Sequence, residues 1–192
     1  MPANSFESAY RGTPPWDIGR PQPAIMRLAE TDQIAGSVLD VGCGTGENVL
    51  YLAKRGFAVT GIDGAPTAIR KARAKAKRRS LNASFEVADA LNLSAPAQPF
   101  DTVIDSGLFH VFSDEERARL AESLGRVVRP GGTYYLMCFS DQQPGDWGPR
   151  RVTQAEIRSV FSEGWRVNYI QPSAFDTNEG QPRAWLASIS RM

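Results

Sequence analysis

The chain alternates two hydrophobic rhythms. Short, nearly unbroken apolar runs end in, or are followed at once by, small or acidic residues: Val38-Leu39-Asp40-Val41, Phe57 to Asp63, Ala83 to Val87, Phe100 to Ser106 and Thr133 to Phe139. Runs of this kind read as parallel strands covered on both faces. Between them, apolar residues fall at helical spacing: Val49, Leu50, Leu52 and Ala53 in one segment, Leu120, Leu124 and Val127 in another. An alanine-rich stretch from Ile69 to Arg79 adds a third helix. Strands alternating with helices predict an α/β fold with helices on both faces of the sheet. Two further strands, Trp165 to Ile170 and Ala184 to Ser190, end the pattern.

Local punctuation sets the boundaries. Ser113-Asp114-Glu115-Glu116 and Thr153-Gln154-Ala155-Glu156 are capping boxes, the second with Val152 and Ile157 placed as a hydrophobic staple. Gly56 is a helix stop, the helix after Thr153 should end near Gly164, and Arg129-Pro130-Gly131-Gly132 reads as a turn before the fifth strand. A short helix is expected after Pro23, with Ile25, Met26 and Leu28 inward. Residues 1–22 read as irregular because of Pro14, Pro15, Pro21 and Pro23. They also carry Phe6, Tyr10 and Trp16, too aromatic for a disordered tail. This stretch is either a lid over the ligand end of the sheet or a segment packed on the core.

The first strand runs into Gly42-Cys43-Gly44-Thr45-Gly46, a tight glycine turn that admits a ligand close to the backbone. Open α/β sheets bind ligands at this strand end. A dinucleotide fingerprint beginning at Gly42 would require glycine at position 47, where Glu47 stands. A carboxylate there would repel pyrophosphate, which disfavours a nicotinamide oxidoreductase. Asp63 ends the second strand 21 residues after Gly42, the offset at which an acid holds ribose hydroxyls; it is also placed to cap the next helix. Asp89, after the third strand, is placed to accept an adenine amino group or to bond nearby amides.

Composition narrows the classes. The 192 residues are most simply one domain, 1–192, with 1–22 the possible lid. A net charge of +1 favours neither a nucleic acid nor a membrane surface. Arg70, Lys71, Arg73, Lys75, Lys77, Arg78 and Arg79 crowd one helix. They form either a solvated face or a phosphate-binding face, and alanines rather than aromatics separate them. Cys43 and Cys138 make no disulfide framework and no metal ligand set. The chain shows no apolar stretch of membrane-spanning length and no signal-peptide core, so a cytoplasmic protein is expected, as monomer or dimer.

The series Leu39-Asp40-Val41-Gly42-Cys43-Gly44-Thr45-Gly46, Gly61-Ile62-Asp63, Ala88-Asp89-Ala90, Phe100-Asp101-Thr102-Val103-Ile104-Asp105 and Val127-Val128-Arg129-Pro130-Gly131-Gly132 resembles the class I S-adenosylmethionine (SAM) methyltransferases. The segment Trp16-Asp17-Ile18-Gly19-Arg20-Pro21 is similar to one in small bacterial enzymes related to thiopurine, thiol and tellurite methyltransferases. The resemblance implies a Rossmann-like sheet of seven strands in order 3-2-1-4-5-7-6, strand 7 antiparallel. It implies SAM as cofactor and S-adenosylhomocysteine as product. SAM carries no phosphate and a positive sulfonium, which suits an acid-flanked loop. The implied cofactor residues are Trp16 and Arg20 from the N-terminal segment, Asp40, Gly42, Cys43 and Gly44 for the methionine part, Asp63 and Gly64 for the ribose, Asp89 and Ala90 for the adenine, and Asp105 and Ser106 near the reacting methyl.

Methyl transfer needs an aligned nucleophile and exclusion of water more than it needs acid–base chemistry. His110, the only histidine, stands just past the fourth strand as a candidate base or as a loop residue packed between Phe109 and Phe112. Asp105 and Tyr10 are further candidates for chemistry. Tyr10, Trp16, Phe109, Phe112 and Trp147 suggest a small apolar or aromatic acceptor methylated on sulfur or oxygen, with nitrogen a further option. The loop from Ser140 to Arg151 is a substrate loop or a plain connector. The competing reading is a nucleic-acid methyltransferase or binder that uses the basic helix 70–79.

Overall fold

A computed structural model describes residues 3–192. The element order is α1 (Ala3–Ala9), α2 (Pro23–Glu30), β1 (Ser37–Val41), α3 (Glu47–Lys54), β2 (Ala58–Asp63), α4 (Pro66–Arg79), β3 (Ser84–Val87), β4 (Phe100–Ser106), α5 (Asp114–Val127), β5 (Val128–Phe139), α6 (Gln154–Val160), β6 (Trp165–Ala174) and β7 (Arg183–Arg191). Short 3-10 turns cover Ala90–Asn92 and Phe109–Val111. The strands form one sheet in the order β3-β2-β1-β4-β5-β7-β6, as expected. Strand β7 runs antiparallel to both β5 and β6; the other pairings are parallel.

Apolar layers cover both faces. One layer joins Leu39, Val41, Val103 and Leu136 to Leu120 and Leu124 of α5 and Ile157 of α6. The other joins Val38, Val59, Ile104 and Tyr135 to α2, α3 and α4 through Ile25, Leu50, Leu52 and Ile69. Burial on both faces explains the unbroken apolar runs. Both expected capping boxes form, and Val152 and Ile157 are buried in the α5–α6 layer as the staple requires.

Three boundaries differ from expectation. Residues 1–22 are not wholly irregular, because α1 forms; residues 1 and 2 lie outside the described residues. The cause is tertiary. Helix α4 has Ala65 at its N-cap, which offers no side chain, and Glu7 of α1 accepts the Thr67 N–H (3.0 Å) and hydroxyl (2.5 Å) instead. Arg129 to Gly132 is not a free turn but a looped bulge within β5, because Phe100 pairs with Val128 and Thr102 with Thr133, leaving 129–132 opposite Asp101. Helix α6 stops at Val160, short of Gly164, and Met26 is half-buried rather than inward.

Candidate active site

The strand order reverses between β1 and β4, and the loops at the carboxyl ends of these strands form the candidate site. The glycine turn leaves β1 with Gly42, Gly44 and Gly46 at φ +72°, +54° and +84°, conformations that favour glycine. Side-chain space is closed as well. A Cβ on Gly46 would lie 2.6 Å from the Phe85 ring, one on Gly44 2.7 Å from the Tyr10 hydroxyl, and one on Gly42 3.0 Å from Leu108. Asp63 clips the turn from the next strand: its carboxylate accepts the Gly44 and Ala65 N–H groups, each at 2.8 Å. Burial still pushes its pKa up against those two bonds. Gly64 beside it faces open space.

Asp40 lies under the turn, 1 % exposed, and neither carboxylate oxygen has a partner among the described residues. Burial, reinforced by Asp105 and Asp63, raises its pKa well above the carboxylate range.

The N-terminal segment crosses this end of the sheet as a strap. Tyr10 is buried, and its hydroxyl accepts the Trp16 indole N–H at 3.0 Å. Asp17 accepts the Thr45 hydroxyl at 2.6 Å. Gln22 makes paired bonds to the Asp176 backbone, 2.9 Å each, and Arg20 pairs with the Asp176 carboxylate at 3.0 Å. Asn178 donates to the carbonyls of Pro15 and Asp17. Trp16 therefore lies over the glycine turn while Arg20 points to the β6–β7 connection.

Glu47 does not stand as a bare charge. Lys75 reaches it at 2.8 Å and Arg79 at 2.8 and 2.9 Å; burial would raise its pKa, but the Arg79 and Lys75 bonds hold it low. Lys75 also donates to Thr45, Arg73 to the Phe85 carbonyl, Lys71 to the Gly12 carbonyl and Arg70 to Thr67. Much of the basic run on α4 is spent locking the glycine turn and strap.

A second group of residues gathers over β4, β5 and β6. Of the candidates for chemistry, Asp105 and His110 lie here and Tyr10 does not. Asp105 is fully buried and accepts the Leu108 N–H (2.7 Å), the Phe109 N–H (3.1 Å) and the Tyr134 hydroxyl (2.8 Å). Burial, opposed by these bonds, pushes its pKa up to about 7. These bonds shape the β4–α5 loop. His110 packs edge-on against Phe139 and Phe175, with ring centroids 5.1 and 5.8 Å away, not between Phe109 and Phe112. Its Nδ1 accepts the Phe139 N–H at 3.0 Å. Burial, with Arg117 and Arg151 nearby, pulls its pKa down to about 3, so it is neutral and has no free Nδ1 lone pair to act as a base. Tyr10 sits at the glycine turn rather than beside this group, and burial raises its phenol pKa, so it is neutral too.

Asp89 is exposed; one oxygen caps the 3-10 turn through the Leu91 N–H at 2.9 Å, and Ala90 is buried behind it. Ser106 is half-buried at the end of β4. Cys43 anchors the turn through its N–H to the Ile62 carbonyl. Two features escaped the sequence. Arg151 lies over the rings of Phe139 (5.2 Å) and Trp147 (5.6 Å) and donates to carbonyls of its own loop. Phe175 joins Phe139 from the end of β6. Neither has a local sequence signal, because the strands that bring them together lie far apart in the chain.

A cleft lined by Ala121, Gly125, Trp165 and Arg191 lies at the opposite, amino end of the parallel strands and has no link to these groups. Comparison with known proteins places the chain in a family. A family model described as a methyltransferase domain matches residues 38–132. The 2-heptyl-1-hydroxyquinolin-4(1H)-one methyltransferase of Mycobacteroides abscessus is 41 % identical over 184 residues, covering 90 % of this chain and 81 % of that protein. The chain belongs to the class I SAM-dependent methyltransferases. Probable thiol methyltransferase 2 of Arabidopsis thaliana is 29 % identical over 152 residues, covering 78 % of this methyltransferase and 67 % of the plant protein. A solved structure, described as "Conversion of a Disulfide Bond into a Thioacetal Group during Echinomycin Biosynthesis", superposes with a TM-score of 0.92 at 39 % identity, covering 100 % of this methyltransferase and 93 % of that chain. The enzyme is therefore a SAM-dependent methyltransferase with the Rossmann-like fold. Among the described residues no helix is long and apolar enough to cross a membrane.

Proposed function

We propose that this methyltransferase moves a methyl group to a sulfur or oxygen atom of a small apolar or aromatic molecule. The carrying observation is the aromatic group of His110, Phe139, Phe175 and Trp147 at the carboxyl ends of the strands, next to the glycine turn. Leu108 joins the two halves by packing on Gly42. Apolar walls with few polar groups suit a small ligand. The quinolone and thiol substrates named for the two relatives agree with this acceptor class.

Two observations support the fit of SAM. Gly42 and Gly44 leave a cradle that a Cβ would fill. Asp40 holds buried, unpartnered oxygens below it, and a cationic amino group is the chemistry that would satisfy them. In this reading Gly42, Cys43 and Gly44 hold the methionine part, with Asp40 setting the charge beneath. Asp63 and Gly64 meet the ribose, and Asp89 and Ala90 the adenine. Trp16 covers the cofactor, Arg20 holds the strap closed through Asp176, and Ser106 lines the junction. Bound SAM supplies an electrophilic methyl carbon on a sulfonium with a good leaving group. The protein aligns the acceptor, covers it with the Trp147 loop and keeps water out.

The nucleic-acid reading loses its main support, because Arg73, Lys75 and Arg79 are engaged with the protein itself. We take residues 1–192 as one catalytic domain with the strap as its cover. The free cysteines Cys43 and Cys138 agree with a reducing, cytoplasmic setting.

The test is transfer of labelled methyl from SAM to a panel of thiols, phenols and N-heterocycles, with products identified by mass. Methylated thiol or phenol is expected. Transfer only to nucleic acid or protein overturns the proposal.

A further inference from the structure

We propose that His110 is a hydrogen-bond donor to an acceptor that arrives already ionised, so the transfer needs no enzymic base. This rests on the small-acceptor reading above. It is carried by the way the imidazole is held.

The Nδ1 atom accepts the Phe139 N–H at 3.0 Å. A neutral ring with Nδ1 accepting must carry its proton on Nε2. Nε2 has no protein partner among the described residues, is not among the sealed polar atoms, and lies toward the Cβ-free side of Gly107 at the mouth of β4. The backbone beside it is held from two directions. Asp105 accepts the Phe109 N–H, and the fully buried Arg117 donates to the Phe109 carbonyl at 3.2 Å while its guanidinium stacks on the Phe109 ring at 4.6 Å. The donor is thereby fixed in direction before any ligand arrives, the arrangement that stabilises a developing or resident anion.

The charges around the ring agree. Arg117 of α5, itself paired with Glu156 at 3.3 Å and Asp114 at 3.7 Å, and Arg151 of the loop after β5 are the charged groups that act on it, both positive. From β5 and β6 it meets the apolar rings of Phe139 and Phe175. The nearby acids are already occupied: Asp105 as described, and the Asp176 carboxylate by Arg20 and Gln181. Such a site repels an imidazolium and welcomes an oxyanion or thiolate. The acceptor class is then a thiol or an acidic phenol, not an aliphatic alcohol. Its proton goes to solvent before binding. Its lone pair forms the new bond to the methyl carbon, and the pair of the broken carbon–sulfur bond leaves with the thioether.

Two substitutions separate donation from structure. His110→Asn keeps an oxygen where Nδ1 accepts the Phe139 N–H but has no group at the Nε2 position. His110→Gln places an amide N–H at the Nε2 position. The probe is 4-nitrophenol, whose phenolate is coloured, titrated with pH on the wild-type protein in the presence of S-adenosylhomocysteine. Binding is expected to lower the phenol pKa by about one unit in wild type, to keep most of that shift in His110→Gln, and to abolish it in His110→Asn. S-adenosylhomocysteine affinity should match wild type in both variants, showing that the fold is intact. In parallel, the pH inflection of kcat/KM across thiophenols of graded acidity should follow the acidity of each acceptor. A fixed inflection, an unchanged or raised phenol pKa on binding, or His110→Asn outperforming His110→Gln overturns the proposal. If wild type binds and methylates no thiol or phenol at all, the small-acceptor reading fails and this proposal fails with it.

Discussion

Asp63 holds Gly44: the carboxylate at the end of β2 accepts the amide of the central turn glycine at 2.8 Å. An acid at this position is therefore both a candidate ribose ligand and the clip that fixes the turn's shape. Asp63→Ala should weaken S-adenosylhomocysteine binding about 10- to 100-fold, the loss of charge-assisted bonds worth about 1.5–3 kcal/mol. Asp63→Asn should fall between Asp63→Ala and wild type, because its carbonyl oxygen can still accept one of the two amides. Calorimetric titration checks the order, with circular dichroism confirming the fold.

Gly44 and Tyr10 should be energetically coupled. An alanine at 44 meets the Tyr10 hydroxyl first, with the next ring atom a full contact away at 3.6 Å. Gly44→Ala carries two costs, the left-handed backbone of about 1–2 kcal/mol and the displaced phenol. Tyr10→Phe removes the second. A double-mutant cycle on thermal or urea stability should give a coupling of about 0.5–3 kcal/mol, with Gly44→Ala milder in the Tyr10→Phe background. Simple additivity would show that the strap moves away from the turn without cost.

Stability of the ligand-free protein should fall as pH rises from about 4 to about 7. Asp105 binds its proton up to about pH 7 when folded, against 3.8 ordinarily, and Asp40 is raised as well. Below the ordinary value both folded and unfolded chains are protonated. Above it only the unfolded chain releases its proton freely, so unfolding is favoured by up to about 1.4 kcal/mol per pH unit for each such group. His110, pulled down to about 3 from 6.5, works the other way between those values and offsets one of the two carboxyls, so the net fall is steepest above pH 6.5. Asp40→Asn should flatten this slope and raise the melting temperature at pH 8. It should also weaken S-adenosylhomocysteine binding, because the buried carboxylate no longer answers an ammonium group. Melting curves across pH, with and without ligand, make the test.

Lys75 should matter to the cofactor and not to nucleic acid. It bridges Thr45, at 2.7 Å, to Glu47, at 2.8 Å. Lys75→Met should weaken cofactor binding by about 1–2 kcal/mol and increase protease cutting between residues 10 and 22. Fluorescence anisotropy with RNA and DNA should show no salt-sensitive binding for either protein. Micromolar binding lost in Lys75→Met would restore the basic helix as a contact surface.

The strands, both capping boxes and the glycine turn were legible in the chain because each depends on short-range rules, whereas the strand order followed from the family resemblance. Two-sided burial writes continuous apolar runs at 38–41 and 100–106, and a left-handed turn near a ligand demands glycine at 42, 44 and 46. Ser113 and Thr153 cap helices through bonds made within their own first turns. Contacts made by distant residues left no such mark. The charge at Glu47 looked like a bar to anions until Lys75 and Arg79 were brought to it, and the basic run on α4 looked solvated for the same reason. Glu7, sixty residues upstream of Thr67, supplies a cap that α4 lacks.

By itself the sequence determined the α/β class, the strands and helices and the glycine turn, since periodicity, caps and glycine spacing are local properties of the backbone; the order of the strands came from the resemblance to a family. Only the tertiary structure decided what each polar side chain at that end can do. Asp105 accepts from three donors, Tyr10 is drawn to the glycine turn, and the Nδ1 of His110 is taken up by the Phe139 amide. The reason is that protonation state and direction depend on burial and on partners from other strands, and those are set by packing rather than by neighbours in the chain.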